Sequence, residues 1–180
     1  SSAAVTCPVI VKTNGAAGGK GYFLAKNPQE LETRLASIDE PVSFQEYITG
    51  TKVYVHYFHS FVRKRLEISS VDIRYETDVD AKLRASPTPP SFQVVGNIPL
   101  VLRESLLFQY YQLGKAFIDA TARLLSHPLY GPFCLETIID RNLEIYCFEF
   151  SGRIVAGTTP FIPYSPYSYI MFGQKMWTGR

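Results

Sequence analysis

Cysteine is scarce in this sequence, and its pattern excludes two kinds of scaffold. Cys7, Cys134 and Cys147 are spread over 180 residues, and no CxxC pair occurs. An odd number of cysteines without such a pair argues against a disulfide framework and against a structural zinc site. We therefore expect buried, reduced thiols in a cytoplasmic protein.

An excess of charge of one sign is also missing. The chain carries 18 lysine and arginine residues against 16 acidic ones, a formal net charge of +2. Such a balance gives no support to general binding of nucleic acid or of a charged membrane surface. No apolar run is long enough to cross a bilayer, and the first residues lack the basic start of a signal peptide. We expect neither nucleic acid nor a membrane as a partner.

The composition, 46% hydrophobic and 19% charged, is typical of a globular protein. A chain of 180 residues can form one sizeable core or two small lobes. The sequence starts without Met and reaches its first predicted strand almost at once. We therefore expect a fragment of a longer protein.

A glycine-rich stretch at residues 8–26, PVIVKTNGAAGGKGYFLAK, predicts a strand, a flexible loop and a second strand. Small residues let backbone N–H groups approach an anion closely, and Lys12 and Lys20 add positive charge at the two ends of the loop. The glycines are Gly15, Gly18, Gly19 and Gly21. The pattern is typical of a lid over a polyphosphate.

Two familiar phosphate loops do not match this stretch. A P-loop would need glycine where Asn14 stands and a hydroxyl residue where Gly21 stands. The dinucleotide fingerprint enters a helix, whereas Tyr22 and Phe23 favour a strand. A glycine-rich hairpin remains, and an ordinary flexible hairpin is the alternative that these residues leave open.

The rest of the chain predicts a mixture of helices and antiparallel strands. Asn27, Pro28 and Glu30 mark a helix start as cap, first helical residue and capping-box acid. A long amphipathic helix is predicted at Leu106–Ser126, and its buried face is predicted to be formed by Leu106, Tyr110, Leu113, Phe117, Ala120 and Leu124. An antiparallel meander is predicted from the strands Val42–Ile48, Lys52–His59 and Leu66–Arg74.

A later hairpin carries two carboxylates. If Arg141 and Asn142 form a two-residue turn, Glu136 lies opposite Cys147, and Glu149 is its diagonal neighbour on the same face. Two like charges among apolar residues are unfavourable unless a cation neutralises them, and hard oxygen ligands suit Mg²⁺ beside a phosphate. A pair of salt-bridged glutamates, with Arg153 as partner, is an equal alternative.

The order of these features resembles the ATP-grasp superfamily, and Glu149-Phe150-Ser151-Gly152-Arg153 looks like its Glu-x-Asn-x-Arg element. Nearly the whole chain resembles the formate-dependent FAICAR synthetase family. The phrases that carry this resemblance are PVIVK, GGKGYFLAK, FQEY, VDIRYETDVD, VVGNIPLVLRESLL, GPFCLET, RIVAGT and SPYSY.

The resemblance implies an α+β ATP-grasp fold, in which antiparallel sheets and packed helices form two lobes around the nucleotide. The small lobe with its lid would be residues 1–50 and the large lobe residues 51–180, without the N-terminal domain of that family. The implied activity is an ATP-dependent ligase that formylates AICAR to FAICAR through formyl phosphate in purine (IMP) biosynthesis. ATP and Mg²⁺, with Mn²⁺ as the alternative ion, would be needed, AICAR and formate would be the substrates, and the protein would be a homo-oligomer.

The resemblance also implies roles for individual residues. Arg153 and Lys20 would be catalytic, Asn97 would contact AICAR, and Glu136 and Glu149 would hold the metal. Residues that would bind the nucleotide through phosphates, adenine or ribose are Lys12, Gly18, Gly19, Lys20, Glu46, Tyr47, Ile48 and Glu67.

Some positions depart from the family pattern. Ser151 replaces the superfamily's Asn, Gly152 stands where Ala is expected, Thr159 stands where Asn is expected, and residues 82–90 form a short loop. These departures leave open a paralogue with another small acid or amine, or a nucleotide-binding relative without catalysis. A structural antiparallel domain with incidental glutamates is the alternative from a different class.

Overall fold

The computed structural model describes residues 5–17, 20–76, 94–155, 169–170 and 172–175. The chain divides into two compact units. One comprises Ser1–Thr49 with Glu76–Gln93, and the other comprises Gly50–Tyr75 with Val94–Arg180.

The first unit contains a three-stranded antiparallel sheet in the order β2-β1-β3 and one helix. Its elements are β1 (Val9–Ala17), β2 (Lys20–Ala25), α1 (Pro28–Leu35) and β3 (Val42–Glu46). Buried Val9 and Val11 of the central strand pack with Ala25 and with Leu31 of the helix. A strand that buries every second residue and a helix that buries one face account for this small core.

Local chemistry sets the start of α1 as predicted. The side-chain Oδ1 of Asn27 accepts a hydrogen bond from the backbone N–H of Glu30 at 2.9 Å, and Pro28 occupies the first turn. The Glu30 carboxylate in turn accepts from the backbone N–H of Lys26 at 3.0 Å. These contacts satisfy donors that the first helical turn leaves unpaired.

The second unit contains a five-stranded antiparallel sheet in the order β6-β5-β4-β7-β8 and a long helix. Its elements are β4 (Thr51–Ser60), β5 (Arg65–Glu76), β6 (Val94–Pro99), α2 (Glu104–Leu124), β7 (Gly131–Ile139) and β8 (Ile145–Ser151).

One face of the five-stranded sheet forms the main core with α2. The helix contributes Leu106, Tyr110 and Ile118, and the sheet contributes alternate residues of three strands. The buried sheet residues are Val53, Val55, Tyr57, Leu66, Ile68, Val71, Phe133 and Leu135. The predicted helix is therefore confirmed, but its predicted apolar face is wrong at Leu124, which is 84% exposed.

A buried chain of hydrogen bonds crosses this core. The Tyr57 hydroxyl donates to the carbonyl of Tyr110 at 2.8 Å, and the Tyr110 hydroxyl lies 2.7 Å from Thr137 Oγ1. Thr137 Oγ1 donates to the carbonyl of Val53 at 2.7 Å. Burial raises the pKa of Tyr110 to about 12, so its hydroxyl stays neutral in the core.

The predicted three-strand meander is wrong. β3 leaves it to pair with β1 in the other unit, and β4 lies between β5 and β7. The hairpin of β4 and β5 is confirmed, with Tyr57 opposite Ile68. Adjacent strands in sequence usually pair, but here the strand in the middle of the main sheet finds its second partner about 80 residues later.

Within the described part of the chain, no helix combines the length and apolar character that crossing a membrane requires.

Candidate active site

The face of the five-stranded sheet opposite α2 carries charged and polar side chains. Tyr54 of β4 lies opposite both Asp72 of β5 and Glu136 of β7. Glu136 lies opposite Glu149 of β8 in the same ladder. Residues directly opposite each other in antiparallel strands share a face, so these side chains project to one side of the sheet. We call this side, with His56, Asp72, Arg74, Glu136 and Glu149, the polar face.

The predicted diagonal arrangement of the two glutamates is wrong, because they face each other directly. The register shifts by a bulge between Glu136 and Thr137. A direct cross-strand pair is closer than a diagonal one, so the conclusion that the two carboxylates share a face becomes stronger.

The connection between β7 and β8 explains part of the wrong register. Asp140 Oδ1 accepts hydrogen bonds from the backbone N–H groups of Asn142 at 2.8 Å and Glu144 at 2.9 Å. Leu143 has a φ of 65°, in the left-handed region. The turn is therefore longer than the predicted two residues, and Ile139 pairs with Ile145.

Glu136 and Glu149 have the chemistry of a magnesium site. Glu136 is 9% exposed, Glu149 is half-buried, and the Ser151 hydroxyl donates to Glu136 Oε1 at 3.5 Å. In the described residues no group of three or more His, Cys, Asp or Glu side chains could hold a metal ion by itself. Mg²⁺ is often held by one or two carboxylates together with substrate phosphates and water, and the two glutamates fit that case.

The thiol beside this pair is not a nucleophile. Cys134 is fully buried opposite His56 and Ser151. Burial, and next the charge of Glu136, raise the pKa of the Cys134 thiol, while the guanidinium of Arg74 opposes them. The thiol therefore stays protonated, and covalent catalysis through cysteine is not supported. Like the other two cysteines it is not in a disulfide, although Cys147 is exposed and not buried as expected.

Asp72 is the centre of a buried polar cluster. Its carboxylate is fully buried and hydrogen-bonded through Oδ1 to Nε2 of His56. Its Oδ2 accepts from Nδ2 of Asn97 at 2.6 Å and lies 3.6 Å from Nε of Arg74. The sequence prediction included Asn97 but missed the three residues around it. The signal that could have found them is the pair of opposite charges at alternate positions, Asp72 and Arg74, on either side of the apolar Ile73.

In the first unit, the glycine stretch forms the predicted hairpin. Lys12 on β1 is half-buried opposite Tyr22 and Ser43, and Lys20 is exposed at the start of β2. Gly18 and Gly19 lie outside the described residues. The strands extend further into the glycine stretch than predicted, with an irregularity between Lys12 and Ala17.

Gly21 is required by the backbone of this hairpin. Its φ is 78°, and a Cβ there would lie 3.0 Å from Cα of Ala16. Its carbonyl accepts a hydrogen bond from Thr13 Oγ1 at 3.2 Å. A side chain at this position would strain both strands of the hairpin.

The predicted adenine segment lies at the end of β3. Glu46 is exposed and lies opposite Val9, so its side chain is on the other face of the small sheet from Lys12, which lies opposite Ser43. Tyr47 and Ile48 follow the strand and are half-buried. This placement is compatible with a contact between adenine and the backbone of the segment, because a backbone contact does not depend on the face to which a side chain points.

Glu67 and Arg153 each have a described contact outside the pair of glutamates. Glu67 lies opposite Phe58 and forms an ion pair with Arg65 at 3.4 Å. Arg153 is exposed after β8, and its Nη1 donates to the carbonyl of Ile154 at 3.0 Å. Thr159 and the loop at residues 82–90 lie outside the described residues.

Comparison with known proteins places these features in a family context. Residues 30–180 match the family model described as "Domain of unknown function (DUF1297)". The chain is 52% identical over 179 residues to a protein of Ignicoccus hospitalis named 5-formaminoimidazole-4-carboxamide-1-(beta)-D-ribofuranosyl 5'-monophosphate synthetase. That match covers 96% of this chain and 52% of the relative, so the chain spans about half the length of the relative.

Solved structures agree on the architecture. The IMP biosynthesis protein PurP from Thermococcus kodakaraensis superposes with a TM-score of 0.66 at 26% identity, over 97% of this chain and 53% of that one. N5-carboxyaminoimidazole synthetase from Staphylococcus aureus, solved with ADP, gives a TM-score of 0.62 at 19% identity, over 83% of this chain and 35% of that one. The predicted α+β ATP-grasp fold is confirmed.

Proposed function

We propose that this chain, which belongs to the DUF1297 family, is the ATP-grasp part of an ATP- and formate-dependent ligase. The ligase would formylate AICAR to FAICAR. The reaction belongs to purine (IMP) biosynthesis. The relative from Ignicoccus hospitalis carries the name of this activity, and the chain covers 52% of its length. The activity of the whole protein is therefore the proposal, and its small-molecule substrates are ATP, formate and AICAR.

The observation that carries the proposal is the direct pairing of Glu136 with Glu149 on a sheet of this fold. Two carboxylates opposite each other repel unless a cation lies between them. A phosphate-bearing nucleotide would bring such a cation and complete its ligand shell.

The chemistry has two balanced steps. An oxygen of formate forms a bond to the γ-phosphorus of ATP, and the bond from that phosphorus to the leaving ADP oxygen breaks. The amine nitrogen of AICAR then forms a bond to the formyl carbon, phosphate leaves with the electron pair of the C–O bond, and the amine loses a proton. Formate acylates poorly until it carries a phosphate leaving group, which is why ATP is consumed.

This chain's residues would mainly position the reactants and neutralise charge. Lys12, Lys20 and the glycine hairpin would bind the phosphates, with Gly18 and Gly19 in the lid. Arg153 would stabilise charge on the transferred phosphoryl group. When bound, Mg²⁺ or Mn²⁺ at Glu136 and Glu149 would neutralise phosphate charge.

The remaining assignments concern the base, the ribose and the second substrate. The segment Glu46–Ile48 would contact adenine through its backbone, and Glu67 would contact the ribose hydroxyls. Asn97, whose amide is held by Asp72 at 2.6 Å, would contact AICAR. We further propose a cytoplasmic homo-oligomer that needs neither nucleic acid nor a membrane.

The test uses the natural full-length protein. Calorimetry should detect ATP binding that depends on Mg²⁺, and phosphate release should require formate and AICAR together. Glu149→Gln should lower metal-dependent turnover by about 100-fold or more, because one of two ligands loses its charge. Absence of ATP binding would refute the nucleotide site, and normal turnover of the variant would refute the metal assignment. Binding without turnover would instead favour a non-catalytic relative, and phosphate release with a different small acid or amine would favour a paralogue.

A further inference from the structure

Arg74 on β5 is a buried cation whose hydrogen bonds are incomplete. Its side chain is 7% exposed. Its Nε and Nη2 atoms are buried and have no hydrogen-bond partner among the residues that the structure describes. A guanidinium has five N–H donors, and leaving them unpaired away from water is costly. A buried polar group without a partner calls for an explanation, and a ligand that completes its hydrogen bonds is one.

Two neighbouring side chains hold the guanidinium group of Arg74, one on its flat face and one along its edge. Its guanidinium carbon lies 3.6 Å from the centre of the Tyr54 ring, a cation–π contact. Its Nε lies 3.6 Å from Asp72 Oδ2, which is close enough for an ion pair and too long for a hydrogen bond. The Asp72 carboxylate is already shared with His56 and Asn97. The stacked ring and the carboxylate orient the guanidinium, while its Nε and Nη2 donors remain without a hydrogen bond among the described residues.

The position of Arg74 in the sheet indicates which ligand would supply an acceptor for these donors. Asn97 is on β6, Arg74 on β5, Tyr54 on β4 and Glu136 on β7, and these strands are neighbours in that order. Asn97 shares the Asp72 carboxylate with Arg74, and Tyr54 lies opposite Glu136. Arg74 is therefore placed between the candidate metal ligand on one side and the candidate contact of the second substrate on the other.

We propose that Arg74 binds the carboxylate of the small acid substrate, through the guanidinium donors that have no partner. The inference rests on the proposed function, in which an acid must lie between the phosphates and the amine that attacks it. A planar guanidinium matches a carboxylate with two parallel hydrogen bonds, which fixes the acid in orientation as well as in position. In this proposal Arg74 binds the acid, Asn97 contacts AICAR, and the two glutamates hold the metal.

The experiment separates formate from ATP in the natural full-length protein. Arg74→Lys should raise the KM for formate by about ten- to a hundredfold, because a charged hydrogen bond pair loses its geometry. The dissociation constant for ATP, measured by calorimetry, should stay within about twofold. Arg123→Lys, where the arginine is exposed in the last turn of α2 and has no assigned role, is the matched control and should leave both constants unchanged.

The outcomes distinguish the carboxylate from a phosphate and from a structural role. A weakened ATP dissociation constant with an unchanged formate KM would assign Arg74 to the phosphates and overturn the proposal. An unchanged formate KM in a variant that is only less stable to heat would reduce Arg74 to a structural residue and also overturn it. Normal turnover of the unmodified protein in either case would leave the proposed function intact.

A binding measurement covers the case in which the unmodified protein shows no turnover. Binding of ¹³C-labelled formate is then followed by NMR in the unmodified protein and in Arg74→Met, which is of similar length and apolar. Formate binding that is lost in Arg74→Met supports the proposal although the proposed reaction fails. Absence of formate binding to the unmodified protein, or binding that survives in Arg74→Met, overturns it.

Discussion

The five-stranded sheet buries residues on both of its faces, but with opposite chemistry. On the face toward α2, Val53, Val55 and Leu135 are fully buried among apolar side chains. On the polar face, Asp72 is equally buried, and its carboxylate is held by groups from β4, β5 and β6. The same strands build both faces, because successive residues of a strand point to opposite sides.

The difference separates buried residues that stabilise the fold from buried residues that form a functional site. Apolar burial on the α2 side contributes favourable free energy with every methylene group. Burial of Asp72, Arg74 and Glu136 costs desolvation that their mutual attraction offsets only in part. A fold keeps such a face when the charged groups have a task, so polar residues buried on one side of a sheet are the stronger indication of function.

The largest effect on stability is expected on the apolar face. Leu135→Ala should lower the free energy of unfolding by about 2–5 kcal/mol, because it removes buried methyl groups and leaves a cavity. Chemical denaturation followed by circular dichroism measures the change. Leu124→Ala is the control, since that leucine is 84% exposed, and it should change stability by less than about 0.5 kcal/mol. Equal losses in the two variants would contradict the conclusion that burial on the apolar face stabilises the fold.

A smaller effect of opposite sign is expected on the polar face. Without metal, Glu136→Gln should leave the free energy of unfolding unchanged or raise it by up to about 1 kcal/mol, since it relieves repulsion with Glu149. The stabilisation that Mg²⁺ with ATP confers on the unmodified protein should disappear. Thermal melts with and without Mg²⁺ and ATP measure both changes. Glu144→Gln on the loop of the same hairpin is the control, and a large loss of stability in Glu136→Gln would show that the fold relies on this charge.

The smallest effect is expected at Gly152, beside the polar face. A Cβ there would have no atom within 4 Å, so Gly152→Ala should change the free energy of unfolding by less than about 0.5 kcal/mol. Gly114→Ala is the contrasting variant on the apolar side, where a Cβ would lie 2.4 Å from Tyr57 Cε1. Overpacking should cost about 1–3 kcal/mol there, measured by the same melts. A Gly152→Ala loss of similar size would mean that the departure from the family's alanine has a structural cause.

Local features were predictable from the sequence because their causes lie within a few residues. The start of α1 follows from Asn27, Pro28 and Glu30, whose contacts span three or four positions. The glycine hairpin follows from alternating strand residues on either side of a glycine run, and Gly21 indeed has a positive φ. Glu136 and Glu149, whose carboxylates suit a metal ion, could also be predicted to lie on one hairpin.

The register of that hairpin could not be predicted in the same way. The prediction assumed a two-residue turn, whereas Asp140 caps a longer loop through hydrogen bonds to Asn142 and Glu144. A bulge after Glu136 then shifts the pairing again. Each change of one residue moves every side chain relative to its partner, so two local irregularities decide which carboxylates face each other.

The glycine stretch, the helix cap and the residue types of the metal pair follow from the sequence by itself, because short-range sterics and hydrogen bonds determine them. The cluster of His56, Asp72, Arg74 and Asn97 follows only from the tertiary structure. Its members come from three strands, and Asn97 is 25 positions from the carboxylate that holds it. Their common burial arises from the strand order β6-β5-β4-β7-β8, and the core that α2 forms with β4, β5 and β7 stabilises that arrangement.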